Sequence, residues 1–156
     1  MTCLLLLLWL GLFLALMNGQ RVHALELTCP ITATIIGTST QGSGDGQFNQ
    51  PFTVAVNASG YIYVADSGNY RIQVFDSNGV FMKKWGSYGG GNGQFDFPEG
   101  IAIDSVGQVY VVDANNNRIQ VFSADGVFVS KFGSSGSGDG RFYDPWDIAL
   151  DSANSI

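Results

Sequence analysis

The chain is poor in the residues from which most catalytic and metal sites are built. Histidine occurs once, at His23, and cysteine twice, at Cys3 and Cys29. A zinc site gathers several His or Cys ligands in one place, so none can be assembled from residues 25–156. No serine in that stretch has a histidine to serve as its base. Two cysteines, one of them inside a segment read below as a leader, also exclude a disulfide framework within the mature chain. Cys29 is then an idle or buried thiol, or half of an intermolecular bridge. Positive charge is scarce as well, with 7 Lys and Arg against 13 Asp and Glu. Such a balance repels phosphate backbones, which excludes nucleic acid as the expected partner, and it gives no polybasic attraction to membranes. Lys83 and Lys84 are the one adjacent cation pair, read as a solvated strand face. Helical periodicity is absent beyond the first 24 residues.

Only one long apolar run is present, at 4–17, followed by Asn18-Gly19-Gln20-Arg21 and then Val22-His23-Ala24. It is shorter than the roughly 20 apolar residues of a spanning helix. An apolar run, a polar stretch and small or apolar residues before position 25 form the pattern of a cleaved secretory signal. The expectation is a secreted, extracellular protein with a signal peptide at 1–24. The alternative is an uncleaved N-terminal segment that anchors it to a membrane. Removing 1–24 leaves six basic against 13 acidic residues, a balance of −7.

What the chain has in abundance is repetition. Residues 44–90 and 91–137 align without a gap, with 23 of 47 positions identical. Pro51, Pro98 and Pro145 fall in register, as do Asp66 with Asp113 and Arg71 with Arg118. A fixed period of this size marks units that cannot cover their own apolar faces and must stack. Each unit holds four short stretches rich in Val, Ile, Tyr and Phe, predicted as strands at 52–56, 61–65, 71–75 and 80–85, then 100–103, 109–112, 118–122 and 127–132. Asn78-Gly79, Asp125-Gly126 and Ala58-Ser59-Gly60 supply the hairpin turns between them. The first stretch is apolar on both faces and suits a crowded inner position. The third alternates polar and apolar residues, and the fourth carries the lysines and lies nearest water. Radially repeated four-stranded blades describe a β-propeller. The fold class is therefore all-β, a partial propeller. It has two complete four-stranded antiparallel blades, an outer strand at 31–37 and an inner strand at 144–151. The chain divides into the leader (1–24), an N-terminal segment (25–43), repeat 1 (44–90), repeat 2 (91–137) and the start of repeat 3 (138–156). Propellers close with about four to eight blades, so either the sequence is a fragment or several chains associate to complete a ring.

The segments Gly-Gln-Phe…Pro, Ile62-Tyr63-Val64-Ala65-Asp66-Ser67-Gly68-Asn69-Tyr70-Arg71-Ile72, and Pro98-Glu99-Gly100-Ile101-Ala102-Ile103-Asp104 with Val111-Val112-Asp113-Ala114-Asn115-Asn116-Asn117-Arg118-Ile119 resemble the NHL repeat. The resemblance covers 42–151. It implies a propeller, commonly six-bladed, that binds partners, with a minority of relatives acting as enzymes. The function expected is a secreted, non-catalytic module that binds an extracellular protein or glycan, with no cofactor. The alternative is a fragment of an extracellular propeller enzyme, similar to amidating lyases or lactonases, whose active-site residues lie in missing blades. The lyase-like version resembles enzymes that use a histidine-bound zinc, which this chain cannot supply. A calcium site of Asp and Asn oxygens stays open. Cytoplasmic NHL proteins that bind RNA resemble these repeats too, but lack support in the acidic balance.

Positions common to both repeats are read as frame. Asp66 and Arg71, with Asp113 and Arg118, are expected to tie their own turns. Gly-rich stretches at 42–46, 89–93 and 136–140 lead to strands and not to helices, so they read as connectors between blades and not as phosphate loops. Positions that differ between matched repeats are the candidates for recognition: Phe52, Glu99, Trp146 and Asp147 after the repeated proline, and Tyr70, Asn116 and Asn117 before the repeated arginine. Asn57-Ala58-Ser59 is a glycosylation sequon on a predicted hairpin, with the turn role of Asn57 as the alternative.

Overall fold

The computed structural model describes residues 36–38, 40–151 and 153. The leader read at 1–24, Cys29 and positions 31–35 of the expected outer strand lie outside the described residues. Eight strands follow in order: β1 (Pro51–Val56), β2 (Ile62–Asp66), β3 (Arg71–Phe75), β4 (Phe81–Trp85), β5 (Pro98–Ile103), β6 (Val109–Asp113), β7 (Arg118–Phe122) and β8 (Phe128–Phe132). They form two four-stranded sheets, β1-β2-β3-β4 and β5-β6-β7-β8, every neighbour antiparallel. Among the described residues there is no α-helix, only a 3-10 turn at Ser67–Asn69, and no helix long and apolar enough to cross a membrane.

The register assigns each residue a face. Val54, Val64, Gln73 and Lys84 lie opposite one another on one side of the first sheet, and Ala55, Tyr63, Val74 and Lys83 on the other. The second side carries Tyr63, Ala65, Ile72 and Val74 into a core completed by Ile101, Val109, Val111 and Phe122 of the second sheet. Trp85 wedges between the blades with its ring 5.8 Å from Phe122 and 6.2 Å from Tyr63. Phe95, from the connector between the blades, is fully buried and lies 5.5 Å from Phe122, as Phe48 lies 5.7 Å from Phe75 one repeat earlier. Blades thus stack face to face through the apolar residues that the alternation displays.

Equivalent strands differ in burial because their neighbours differ. Ile101 of β5 is 5 % exposed, whereas Val54, in the same register on β1, is 58 % exposed. β5 has β1 and β2 against one face and residues 147–148 against the other. A Cβ built on Gly100 would fall 2.7 Å from the Asp147 Cα, so only glycine permits that approach of two backbones. Among the described residues, β1 has a blade on one side only. The expected inner strand at 144–151 is not part of a sheet, since no described strand lies beside it to complete a ladder. Its Ile148 and the preceding Phe142 still pack on Val112, Ala114 and Ile119, as the repeat demands.

Candidate functional site

The β2–β3 turn of each blade is built around one buried carboxylate. Arg71 Nε donates to Asp66 Oδ2 at 2.7 Å, and Gln73 Nε2 donates to the same oxygen at 3.0 Å. Asn69 Nδ2 reaches both Asp66 oxygens, and the Asn49 N–H donates to Oδ1 at 2.7 Å. The free nitrogens of Arg71 then donate to the carbonyls of Ser43, Gly44 and Gln47 at 2.7–2.9 Å. The second blade repeats the pattern atom for atom. Arg118 bonds Asp113 at 2.7 Å and the carbonyls of Gly90, Gly91 and Gln94, while Gln120 and Asn116 converge on Asp113. Asp66 and Asp113 are fully buried and both arginines nearly so. Each cluster therefore clasps its Gly-rich connector to the blade. The carboxylate oxygens of Asp66 and Asp113 are taken up by donors of their own clasps.

Gln73 and Gln120, polar positions in the alternation of β3 and β7, are integral to this clasp. All five residues of each strand are buried. Their one signal in the sequence was recurrence at the repeat spacing, which does not distinguish an inward amide from an outward one. Asn116 belongs with them. Its Nδ2 donates to the Gly89 carbonyl and to Asp113, as Asn69 does to Gly42 and Asp66, so it lies in the clasp and not among exposed recognition residues.

Antiparallel order places the starts of β1, β5, β3 and β7 and the ends of β2, β6, β4 and β8 on one rim, and the 57–61 and 76–80 hairpins on the opposite one. Phe52, Tyr70, Glu99, Asn117, Trp146 and Asp147 all fall at the first rim. Phe52 is 52 % exposed and Trp146 60 %. Tyr70 adopts a left-handed backbone (φ 56°) and stacks edge-on against the exposed Tyr88 at 4.9 Å. Asn117, also left-handed, accepts the Asp144 N–H through Oδ1 at 2.9 Å, and Asp147 Oδ1 accepts the Ile148 N–H. Glu99 differs from its counterparts. It sits in the register irregularity between Pro98 and Ile101 and is 8 % exposed. With Trp85 Nε1, its Oε2 is one of two buried side-chain polar atoms without a hydrogen-bond partner among the described residues. Burial, and then the nearby Asp144 carboxylate, raise its pKa above the ordinary glutamate value.

Asn57 lies on the opposite rim. Its Oδ1 accepts the Ser59 and Tyr61 N–H groups at 3.0 and 2.9 Å, so it closes its own turn whether or not it carries a sugar. Beside it a cleft of about 390 Å³ is bounded by Tyr61, Tyr63, Met82 and the Lys83–Asp125 ion pair. Burial raises the Tyr63 phenol there. Lys84 pairs with Asp45 at 2.6 Å, so both lysines of the expected solvated face are ion-paired at the surface. Among the described residues no group of three or more His, Cys, Asp or Glu could hold a metal ion.

Residues 48–75 and 95–122 each match the family model of the NHL repeat. The chain is similar to protein brain tumor of Drosophila melanogaster, with 51 % identity over 45 residues, 29 % of this chain and 4 % of that protein. It is also similar to human NHL repeat-containing protein 3, with 43 % identity over 47 residues, 30 % of this chain and 14 % of the relative. The chain thus spans a small fraction of the length of the curated relatives it matches. Among solved structures, a streptogramin B lyase superposes with a TM-score of 0.52 at 22 % identity, covering 67 % of this chain and 32 % of the lyase. At that identity the likeness is one of fold, the β-propeller. The chain carries two NHL repeats, folded as adjacent blades of a propeller.

Proposed function

We propose that these two NHL repeats belong to an exported, non-catalytic module that binds a protein partner through the rim holding Phe52, Tyr70, Glu99 and Trp146. The observation that carries this reading is a division of labour between matched and unmatched positions. Residues common to both repeats build the buried clasps and much of the blade interface. Among the residues that differ, several aromatic ones lie on one rim, where Phe52, Tyr88, Tyr143 and Trp146 expose large surfaces. Exposed aromatics on a rigid frame are the side chains that anchor protein interfaces. Scattered exposed apolar residues are ordinary on any protein, but these share one rim. Export is supported by the apolar run at 4–17 and the motif that follows it. Glycan binding draws on the same aromatics, and a sugar array read beside a protein-binding assay separates the two.

Expression of the full chain in a secreting eukaryotic cell tests export. The expected product appears in the medium beginning at Leu25, with a glycosidase-sensitive mass if Asn57 is modified. A product retained in the cytoplasm refutes export. For the rim, Phe52→Ala, Tyr70→Ala and Trp146→Ala together should weaken partner binding at least tenfold without changing the unfolding midpoint. Unchanged affinity refutes the rim.

A further inference from the structure

We propose that Glu99 and Asp144 form a receptor for one cationic side chain, an arginine or lysine of the protein partner. This deepens the protein-binding reading and rests on it. Glu99 occupies the position that Phe52 and Trp146 hold in the neighbouring repeats, yet it is buried where they are open. It is held there from two sides. The Ser67 hydroxyl of the first blade donates to the carbonyl of Pro98, immediately before it. Gly100, immediately after it, lies against the backbone of Asp147 and Ile148. The backbone on both sides of Glu99 is therefore held, and among the described residues its Oε2 has no donor. Among the described residues no lysine or arginine is paired with it. Arg71 and Arg118 are engaged in the clasps, and Lys83 and Lys84 pair with Asp125 and Asp45. Asp144 acts on Glu99 electrostatically, and its backbone is set in a left-handed conformation by the bond to Asn117.

A carboxylate held out of water, with a second, exposed one acting on it, is satisfied by a proton, a metal ion or an organic cation. A metal ion wants more ligands than the described residues assemble. A guanidinium or ammonium needs no more than this pair, and a guanidinium can bridge two oxygens at once. Tyr143 and Trp146, which flank Asp144 in the chain, are 87 % and 60 % exposed, and aromatic rings attract cations. A net charge of −6 draws a basic partner toward the rim from a distance.

The test uses the full chain and fluorescently labelled penta-arginine and penta-lysine peptides, with penta-glutamine as the neutral control. Binding of a basic peptide is expected. Glu99→Gln and Asp144→Asn should each weaken it about tenfold or more, as loss of a charge-assisted bond implies. Asp139→Asn, an exposed carboxylate on a connector, should change it less than about twofold, the small effect of a rim charge removed from the site. Carbon-13 NMR of the Glu99 carboxyl should show its pKa falling when peptide is bound. Equal affinity for all variants overturns the proposal, as does calcium, and not the peptide, moving the Glu99 signal. Glu99→Gln that gains stability and keeps full peptide affinity also overturns it, since the pair is then a structural shared proton. If Glu99→Gln fails to fold, the exposed Asp144→Asn decides alone. Loss of partner binding in the Phe52, Tyr70 and Trp146 variant with full binding by Glu99→Gln sinks this inference and leaves the protein-binding reading standing.

Discussion

Removing Asp113 should cost far more stability than removing Gln120, although both sit in one clasp and both are fully buried. Asp113 accepts from Arg118, Gln120, Asn116 and the Asp96 N–H. In Asp113→Ala the guanidinium of Arg118 stays buried, held by three carbonyls but without a counter-charge. Breaking a buried pair from one side typically costs about 3–5 kcal/mol, and the orphaned Asp96 N–H adds to it. In Gln120→Met the losses are smaller. Gln94 keeps the Arg118 donor on its carbonyl, Asp113 keeps its other donors, and only the Gly93 N–H, which donates to Gln120 Oε1 at 3.0 Å, loses its partner. One buried unsatisfied group costs about 1–3 kcal/mol. The double variant Asp113→Ala with Arg118→Met should lose less than the sum of its parts, because it leaves no lone charge. Urea unfolding followed by Trp85 emission reads these values, since that indole lies between the blades. Equal losses for Asp113→Ala and Gln120→Met, or a loss under about 1 kcal/mol for Asp113→Ala, would refute the clasp as the organising node.

Ile101→Ala should cost about 2–5 kcal/mol as a buried truncation, while Val54→Ala, in the same register but 58 % exposed, should stay within about 0.5 kcal/mol. Similar costs in urea titrations would mean that the two inner strands are equally covered. Gly100→Ala places a methyl 2.7 Å from the Asp147 Cα and 2.8 Å from Val112 Cγ2. It should release residues 147–148 from the blade, read as a red shift and faster quenching of Trp146. Glu99 governs a pH effect through its raised pKa. The folded chain holds that proton more tightly than the unfolded one. Its contribution is therefore complete below the unfolded value near 4.3 and is lost as pH rises through the higher folded value. Glu99→Gln should flatten that part of the stability–pH curve, and an unchanged difference between the two proteins across that window would refute the burial of an ionisable Glu99.

The register of repeats made the blades legible. Four strand positions per unit, the Gly-rich connectors and the stacking followed from alternation and turn residues, and strand limits fell within two residues of those expected. Local pattern was less informative where a residue's surroundings come from another unit. Val54 and Ile101 read as the same inner-strand residue, yet one is open and the other covered, because coverage is set by the blade next door. The 144–151 segment has the composition of an inner strand but no described strand beside it, and a strand is defined by its partner.

The same reasoning explains why the clasps could be located in the sequence and Glu99 could not be interpreted there. Asp66 and Asp113 find their partners within seven residues and in a connector of their own repeat, so their arrangement recurs whenever the repeat does. Glu99 has surroundings contributed by three repeats: the Ser67 turn before it, its own bulge, and the Asp144–Asp147 segment after it. Ser67 is replaced by Ala114 one repeat on, so the bond that fixes the Pro98 carbonyl is particular to this junction. A propeller can thus keep every blade alike inside and make every junction different at the rim. The specific chemistry of such a chain is to be sought between blades, at residues where the repeat is broken.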